Sequence, residues 1–363
     1  MCFSHLGWDF VFQRPQHLMT RATRTMRVVF WEEPAWHEHC TVGLEERVTA
    51  EGVTVVRPRL PWGADFTGTL RPLLDGFLRR ERIVDPALWY YSPRFLEFTD
   101  HLQSSRVVYD CMDELSAFDG ADPALPQWEQ RLIDRADLVF TGGYSLFEAK
   151  RGLHRSVHAF PSGVDFAHFA PARGVMQEPA VQAGLGAPRA GFYGVLDERF
   201  DRALLADVAR LCPSVQFVMV GPIVKADPGL FPRAPNIHYL GPARYADLPR
   251  FVAHWDVALM PFAINAATRF ISPTKTPEYL AAGRPVVSTP IVDVVRQYGG
   301  LAGVAIAGDA AGFAAAIHRA LTLDPAAWRP EADAVLAGMA WDATWHRMSA
   351  LMNVAGQAAV AAE

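Results

Sequence analysis

The chain has 363 residues, of which half are hydrophobic and a fifth are charged. This composition is typical of folded proteins and excludes intrinsic disorder, and the length suits two domains. Residues 1–170 hold 18 Lys and Arg against 23 Asp and Glu, and residues 171–363 hold 16 of each, so neither half has the basic excess of a nucleic-acid-binding domain.

In the first half of the chain, short apolar runs alternate with helical patterns. Only the residues CFSH precede the turn at Gly7, so either the first strand is very short or the sequence begins late. The later strands and the helices are bounded by turn residues and have the lengths expected of buried elements. We predict strands at 27–34, 53–58, 87–92, 106–110, 137–142 and 156–161, and helices at 15–23, 69–81 and 126–136.

The second half repeats this alternation. Continuous apolar strands separated by helices predict parallel sheets covered on both faces, so the expected fold class is α/β with two doubly wound, Rossmann-like domains. The proline-rich stretch 163–185 predicts a linker, with one domain over 1–170 and a second over 171–340. The strands are predicted at 189–194, 215–221, 236–241, 256–261, 285–289 and 304–308, and the helices at 201–211, 246–255 and 310–322.

Several function classes are excluded or disfavoured by the rest of the sequence. No uncharged apolar run reaches the ~18 residues of a membrane span. The first ten residues lack the basic start and long apolar stretch of a signal peptide. The four cysteines show no disulfide or metal-ligand spacing, which predicts reduced thiols in a cytoplasmic protein.

The most informative segment is 256–290, where a buried strand leads through a polar loop into a short helix at about 277–282. Thr276 is expected to cap this helix, and Gly283 suits a left-handed exit from it. Lys275 stands just before the helix, where it can meet a phosphate, and Glu278 lies in the first turn, where its carboxylate can accept hydrogen bonds from ribose hydroxyls. In the alternative reading, Glu278 is only a favourable first-turn acid and Lys275 a solvated cation.

The motif SPTKTPEYLAAGRPVVSTP (272–290) resembles the donor-nucleotide motif of GT-B glycosyltransferases of the large family-4-like group. That motif reads Lys-x-x-Glu-Tyr-Leu-Ala-x-Gly-x-Pro-Val-Val. PSGVDFAHF (161–169) is similar to the linker that joins the two domains in this family. Residues 3–22, 192–201 and 236–262 resemble further family segments, so the resemblance covers almost the whole chain.

This resemblance implies a transferase that moves a sugar from a nucleotide diphosphate donor, expected to be a UDP-sugar, to a hydroxyl acceptor held in a cleft between two facing domains. The last segment, 341–363, is then expected to be a helix that returns to the first domain. No metal and no further cofactor are implied, because helix dipoles and cations stabilise the leaving diphosphate. The donor-binding residues implied are Gly194, Arg199, Gly221, Lys225, Ser272, Thr274, Lys275, Thr276 and Glu278.

The sequence also departs from the family. Retaining members often carry a second acid eight positions before the ribose-binding Glu, and here that position is Phe270. The usual first donor turn is replaced by GVLDERFD, so the retaining mechanism is in doubt. Asn265 and Thr268 lie in the same loop and are expected to contact the sugar hydroxyls instead.

The acceptor side offers two kinds of general base. Asp110 and Asp113 follow a buried strand, so either carboxylate could deprotonate an acceptor hydroxyl, or both could only cap the loop. His5 follows the first strand, where inverting GT-B enzymes often place a catalytic His. We favour Asp113 slightly over His5. Trp8 and Asp9 in the same turn are candidates for acceptor contact, although the aromatic pattern there equally suits a core.

Three functions compete at this point. The first is a GT-B glycosyltransferase of cell-surface glycan or secondary-metabolite biosynthesis, acting on a sugar, lipid-linked or small-molecule acceptor. Peripheral contact with the inner face of a membrane is compatible with it, and nucleic acid is not an expected partner. The second is a sugar-nucleotide epimerase of the same architecture, which needs no acceptor. The third is a non-catalytic module that binds nucleotide sugars.

Overall fold

The computed structural model describes residues 1–360, and it describes the burial of side chains for residues 1–353. Residues 361–363, the end of the predicted last segment, lie outside the described residues. The chain forms two compact units. The first comprises Met1–Pro161 and the chain from Trp341 onward, and the second comprises Ser162–Ala340.

The first unit is built on a nine-stranded sheet in which β5, β2, β1, β6, β7, β8 and β9 follow one another in parallel. The strand β3 pairs in parallel with β5, and β4 pairs with it antiparallel. The strands are β1 (Cys2–Ser4), β2 (Val29–Glu32), β3 (Ala35–His37), β4 (Gly43–Val48), β5 (Thr54–Pro61), β6 (Ala87–Tyr90), β7 (Arg106–Cys111), β8 (Leu138–Thr141) and β9 (Val157–Ala159).

Helices connect these strands and cover the sheet. Asp65 caps one of them, because its carboxylate accepts a hydrogen bond from the Gly68 N–H at 3.1 Å. The last helix packs in this unit, where Trp341, Trp345 and Met348 join the buried core. The helices are α1 (Arg14–Ala22), α2 (Phe66–Arg80), α3 (Leu96–Thr99), α4 (Leu125–Arg135), α5 (Tyr144–Lys150) and α13 (Trp341–Val360), the last numbered in chain order after the seven helices of the second unit.

The second unit has a six-stranded parallel sheet in the order β12-β11-β10-β13-β14-β15. Counted within the unit, this is the 3-2-1-4-5-6 order of a dinucleotide-binding Rossmann fold. The strands are short, and the four inner ones are almost wholly buried, as the sequence pattern predicts for a sheet covered on both faces. They are β10 (Arg189–Tyr193), β11 (Gln216–Val220), β12 (Ile237–Tyr239), β13 (Val257–Met260), β14 (Val286–Ser288) and β15 (Val304–Ile306).

Aspartate carboxylates cap the N-termini of several helices of the second unit. Asp201 accepts from the Leu204 N–H at 2.8 Å, and Asp309 accepts from the Gly312 N–H at 2.7 Å. The helices are α6 (Phe166–Phe169), α7 (Arg202–Leu211), α8 (Leu248–Val252), α9 (Lys275–Ala281), α10 (Val292–Tyr298), α11 (Ala310–Leu321) and α12 (Pro325–Leu336).

Every strand and helix predicted from the sequence is present, within a few residues of its expected bounds. The very short first strand exists as β1. The strands β3 and β4 were not predicted, because β3 has only three residues and β4 (GLEERV) is mostly exposed and lacks a buried apolar run. Five short or irregularly patterned helices were also missed, namely α3, α5, α6, α10 and α12.

The boundary between the units lies between Pro161 and Ser162, rather than after residue 170. The linker-like segment attaches to the second unit from its first residues. The Ser162 hydroxyl donates to the Ser272 carbonyl at 2.6 Å, and the Val164 N–H donates to the Met339 carbonyl at 2.9 Å. Phe169 is buried in the core of that unit. The proline content of this segment therefore marks its irregular backbone and not a loose connection.

Within residues 1–360, none of the helices combines the length and the apolar character that crossing a bilayer requires.

Candidate functional site

In the second unit, the strand order reverses between β10 and β13, which are parallel neighbours. Crevices at such reversal points, beyond the carboxyl ends of the strands, are where open α/β sheets bind ligands. The segment after β10 begins with Gly194, and the loop after β13 leads into α9. Most of the predicted donor residues lie in these segments.

Gly194 and Gly221 follow β10 and β11 with φ angles of 141° and 151°, which L side chains rarely adopt. A Cβ on Gly221 would lie 1.8 Å from the Gly194 carbonyl oxygen, and a Cβ on Gly194 would lie 2.2 Å from Cε of Lys275. Both positions therefore require glycine. The Lys275 side chain lies directly against the backbone of the turn after β10.

The Lys275 ammonium lies over two aromatic rings. Its Nζ is 5.7 Å from the ring centroid of Phe192 in β10 and 5.8 Å from that of Phe262 after β13. Cation–π contacts of this kind hold an ammonium in place without neutralising its charge. The sequence reading placed Lys275 near a phosphate, and the structure brings it to the carboxyl ends of the two central strands.

Glu278 is 2% exposed and lies in the first turn of α9. The Tyr193 hydroxyl donates a short hydrogen bond to its Oε2. The hydroxyl of Tyr279 accepts a hydrogen bond from the Tyr193 N–H at 2.9 Å, which fixes the end of β10 against α9. Burial raises the pKa of Glu278 to about 7, opposed by the hydrogen bond from Tyr193 and the charge of Lys275.

The helix α9 begins at Lys275, two residues earlier than predicted, with Thr274 at the cap position. Thr276 is therefore inside the first turn and not the cap. Its hydroxyl is buried and has no hydrogen-bond partner among the described residues. The predicted exit at Gly283 is confirmed by its φ of 70°. Ser272 lies before the helix, where its carbonyl accepts the hydrogen bond from Ser162.

Two predicted donor cations differ in their surroundings. Arg199 forms an ion pair with Asp197, with Nη2 at 2.6 Å from Oδ2, and its backbone N–H donates to the same carboxylate. This pairing offsets the charge that was expected to add to the phosphate site. Lys225 is exposed and has a φ of 52° in the loop after β11.

Asn265 and Thr268 bond each other. The Thr268 hydroxyl accepts from the Asn265 N–H at 3.0 Å, and the Asn265 side-chain oxygen accepts from the Thr268 N–H at 3.0 Å. The Thr268 hydroxyl also donates to the Ala263 carbonyl, and the residue is buried. Thr268 thus shapes the loop after β13, while Asn265 is exposed on it. This geometry favours Asn265 over Thr268 as a ligand contact.

In the first unit, Asp110 is at the end of β7 and is completely buried. The Arg14 guanidinium binds both its oxygens, with Nη2 at 2.8 Å and Nε at 3.1 Å. The remaining nitrogen of Arg14 donates to the Phe160 carbonyl at 2.7 Å. Because this carboxylate is fully buried and paired with a cation, the structure favours a structural role for Asp110 over the predicted catalytic one.

Asp113 stands two residues beyond β7 and is partly exposed. The loop that carries it is anchored by Lys150 of α5, whose buried ammonium contacts Glu114 at 2.7 Å and Glu129 at 2.6 Å. Gly142 packs against the backbone of Met112, where a Cβ would lie 2.8 Å from Cα. Sequence analysis missed this network, although Lys150 is one of only three lysines.

His5 follows β1 and is partly exposed at the same sheet edge. Trp8, in contrast, is buried, with its ring 5.0 Å from that of Phe30 in an edge-to-face contact. The backbone N–H of Trp8 donates to the Glu32 carboxylate at 2.6 Å. Trp8 therefore belongs to the core, which was the alternative reading of the aromatic pattern. Asp9 is exposed and paired with Arg47.

Comparison with known proteins identifies relatives of this chain. Residues 187–323 match the family described as Glycosyl transferases group 1. A putative teichuronic acid biosynthesis glycosyltransferase, TuaH of Bacillus subtilis (strain 168), is 28% identical over 242 residues. That alignment spans 61% of this chain and 59% of the TuaH sequence.

Solved structures match nearly the whole chain. Sucrose-phosphate synthase from Thermosynechococcus elongatus has a TM-score of 0.73 at 16% identity, with 98% of each chain covered. Anabaena HepE, solved with UDP and glucose, has a TM-score of 0.68 at 14% identity, covering 97% of this chain and 98% of that one. An E. coli trehalose-6-phosphate structure bound with UDP-2-fluoro glucose has a TM-score of 0.66 at 15% identity, with 98% of each chain covered. These likenesses confirm the predicted GT-B fold.

Proposed function

We propose that the chain is a glycosyltransferase of carbohydrate biosynthesis, because it has the GT-B fold and its residues 187–323 match the family of group 1 glycosyl transferases. The second unit binds a nucleoside diphosphate sugar, a UDP-sugar in the first instance, and the first unit binds the hydroxyl acceptor. The observation that carries this proposal is the grouping of Lys275, Glu278 and Gly194 at the carboxyl ends of β10 and β13.

Each of these three residues suits one part of the donor. The buried carboxylate of Glu278 accepts hydrogen bonds from the ribose hydroxyls once the donor displaces or shares the hydroxyl of Tyr193. The ammonium of Lys275 lies beside the diphosphate. Gly194 lets the backbone approach the phosphate oxygens, since it has no Cβ to block them.

In the proposed reaction, the carboxylate of Asp113 takes the proton of the acceptor hydroxyl. The acceptor oxygen then forms a bond to the anomeric carbon of the donor sugar, and the bond from that carbon to the diphosphate oxygen breaks. The electron pair leaves with the nucleoside diphosphate, whose new negative charge is stabilised by Lys275 without a metal ion. His5 is the second candidate for the base.

TuaH is named for teichuronic acid biosynthesis, and HepE was solved with UDP and glucose. These names support a UDP-sugar donor and a glycan product. They are the reason to test UDP-glucose first.

The test combines calorimetry with turnover. UDP and GDP are titrated first, and nucleoside diphosphate release from UDP-glucose is then measured with and without added sugar acceptors. Release stimulated by an acceptor supports transfer. Interconversion of the donor sugar without an acceptor would indicate an epimerase, and tight binding without turnover would indicate a binding module. Turnover that persists in excess EDTA would support metal independence.

A further inference from the structure

The strand β5 runs past the sheet edge at which His5 and Asp113 lie. Trp31 of β2 pairs with Val56, so β2 ends level with Arg57, and Ser4, the end of β1, pairs with the last residue of β2. β5 continues four residues further, to Pro61, which corresponds to about 13 Å of strand. Its extension is therefore a projection beyond the edge that carries the acceptor candidates.

Two further strands stiffen this projection. Arg59 of β5 pairs with Gly43 of β4 and also with Ala35 of β3. A strand has only two flanks, so β3 and β4 lie on opposite sides of β5. We call this projection the flap. It comprises residues 35–45 and 57–62, since only Gly43–Glu45 of β4 pair with the part of β5 beyond Val56. Its paired backbone distinguishes it from a loose loop.

The end of the flap carries a stacked pair of tryptophans. Trp36 of β3 pairs with Leu60, and Trp62 is two residues beyond Leu60 on the same face of the ribbon. The two indole rings have centroids 5.8 Å apart and planes inclined by 18°. Trp62 is 67% exposed, so one face of its ring lies on Trp36 and most of the rest is open to solvent.

Because Trp62 is stacked on Trp36, the two indoles together offer a flat apolar surface to a ligand. Flat, open aromatic faces suit two kinds of partner, the C–H faces of sugar rings and the interfacial region of a bilayer. The charges around the pair discriminate between them. The flap holds two cations, Arg57 and Arg59, and two acids, Glu38 and Glu45. It therefore lacks the basic excess that draws a protein surface to an anionic membrane.

We propose that Trp36 and Trp62 form a carbohydrate-stacking subsite, and that the acceptor is a glycan chain long enough to reach from the reacting hydroxyl to the flap. This inference rests on the proposed function, which supplies the glycosyl transfer that the acceptor undergoes. Trp62 follows β5, which is two strands away from β1, and Trp36 is on β3, on the β2 side of β5. The pair therefore lies about 5–10 Å sideways from His5 as well as beyond it. The subsite therefore holds a sugar unit of the acceptor that is several sugar units away from the reacting hydroxyl.

The first test is affinity electrophoresis in gels that contain dextran, laminarin, pullulan or hydroxyethyl cellulose. The intact protein should be retarded by at least one of these polysaccharides. Trp62→Ala and Trp36→Ala should lose at least two thirds of that retardation, while Trp62→Phe should keep part of it. Val84→Ala, a change at another exposed apolar residue of the same unit, is the matched control and should migrate like the unaltered protein.

The second test separates the alternatives. Sedimentation with vesicles of phosphatidylcholine and phosphatidylglycerol measures membrane binding. Vesicle binding that depends on Trp62, without retardation by any glycan, would overturn the subsite in favour of a membrane contact. Retardation unchanged by Trp62→Ala, or no retardation at all, would also overturn it. UDP-glucose titration of the same proteins tests the donor site independently, because the flap residues all lie in the first unit.

Discussion

The hydroxyl of Tyr193 donates a hydrogen bond to the buried carboxylate of Glu278, joining the last residue of β10 to the first turn of α9. Both side chains are almost fully enclosed, with 5% and 2% of their surfaces exposed. The pair thus positions the only carboxylate oxygens that the α9 motif offers to a ligand. The hydrogen bond from Tyr193 also affects the pH at which Glu278 ionises, because it opposes the rise in pKa that burial causes.

Glu278→Gln should weaken UDP binding by about 10- to 100-fold, because hydrogen bonds to a charged acceptor contribute about 1.5–3 kcal/mol. The substitution keeps the size of the side chain, so the melting temperature should change little by comparison. Calorimetric titration with UDP measures the effect. Tyr193→Phe is the matched control, since it removes the phenol and leaves the carboxylate. Unchanged affinity in Glu278→Gln would remove this residue from the donor site.

The affinity for UDP-glucose should rise with pH. Burial holds the pKa of Glu278 at about 7, so the carboxyl is mostly protonated below that pH and mostly ionised above it. Ribose hydroxyls donate to the ionised form, and affinity should therefore increase about tenfold from pH 6 to pH 8. UDP-glucose is the right probe because its diphosphate does not titrate in this range. A profile that stays equally steep in Glu278→Gln would assign the titration to another group.

Asp113→Asn should lower the rate of sugar transfer by at least about 100-fold and leave UDP affinity unchanged, as expected for a general base on the acceptor side. Single-turnover assays and UDP titration together measure the two effects. Asp110→Asn should behave differently, because it leaves the buried Arg14 without its partner charge. It should destabilise the fold by about 3–5 kcal/mol, visible in thermal unfolding. Full transfer activity in Asp113→Asn would shift the assignment to His5.

Gly194→Ala should displace Lys275 and weaken UDP-sugar binding at least tenfold. Its added methyl would lie 2.2 Å from Cε of the lysine, at a backbone φ of 141°. The strained backbone should also cost roughly 1–3 kcal/mol of stability. Gly308→Ala is the control in the same unit, since a Cβ there meets nothing within 4 Å. Normal binding of UDP-glucose by Gly194→Ala would show that the close contact between Gly194 and Lys275 is not needed for donor binding.

The sequence predicts the donor side of the candidate site better than the acceptor side. Lys275 and Glu278 lie within one short motif, so local spacing is enough to place them at a helix start. Tyr193 and Arg14 could not be found this way. Tyr193 is 85 residues from its partner Glu278, and Arg14 is 96 residues from its partner Asp110. In each pair, only the folded chain brings a helix residue to the end of a distant strand. The flap was missed for a related reason, since β4 pairs along an exposed edge and buries no apolar face.

The chain leaves the first unit after Pro161 and returns to it at Trp341, and this path determines how the protein can be divided. Val164 and Ala340 form a bridge, so the two ends of the second unit lie side by side about one strand spacing apart. Ser162–Ala340 is thus a domain inserted into the first unit. Expressed alone, it should fold and bind UDP as the intact protein does. Met1–Pro161, joined to the segment from Trp341 by a short linker, should fold without it, with Arg347 still over the ring of Phe160. The donor-binding domain and the acceptor-binding domain could then each be replaced without changing the other.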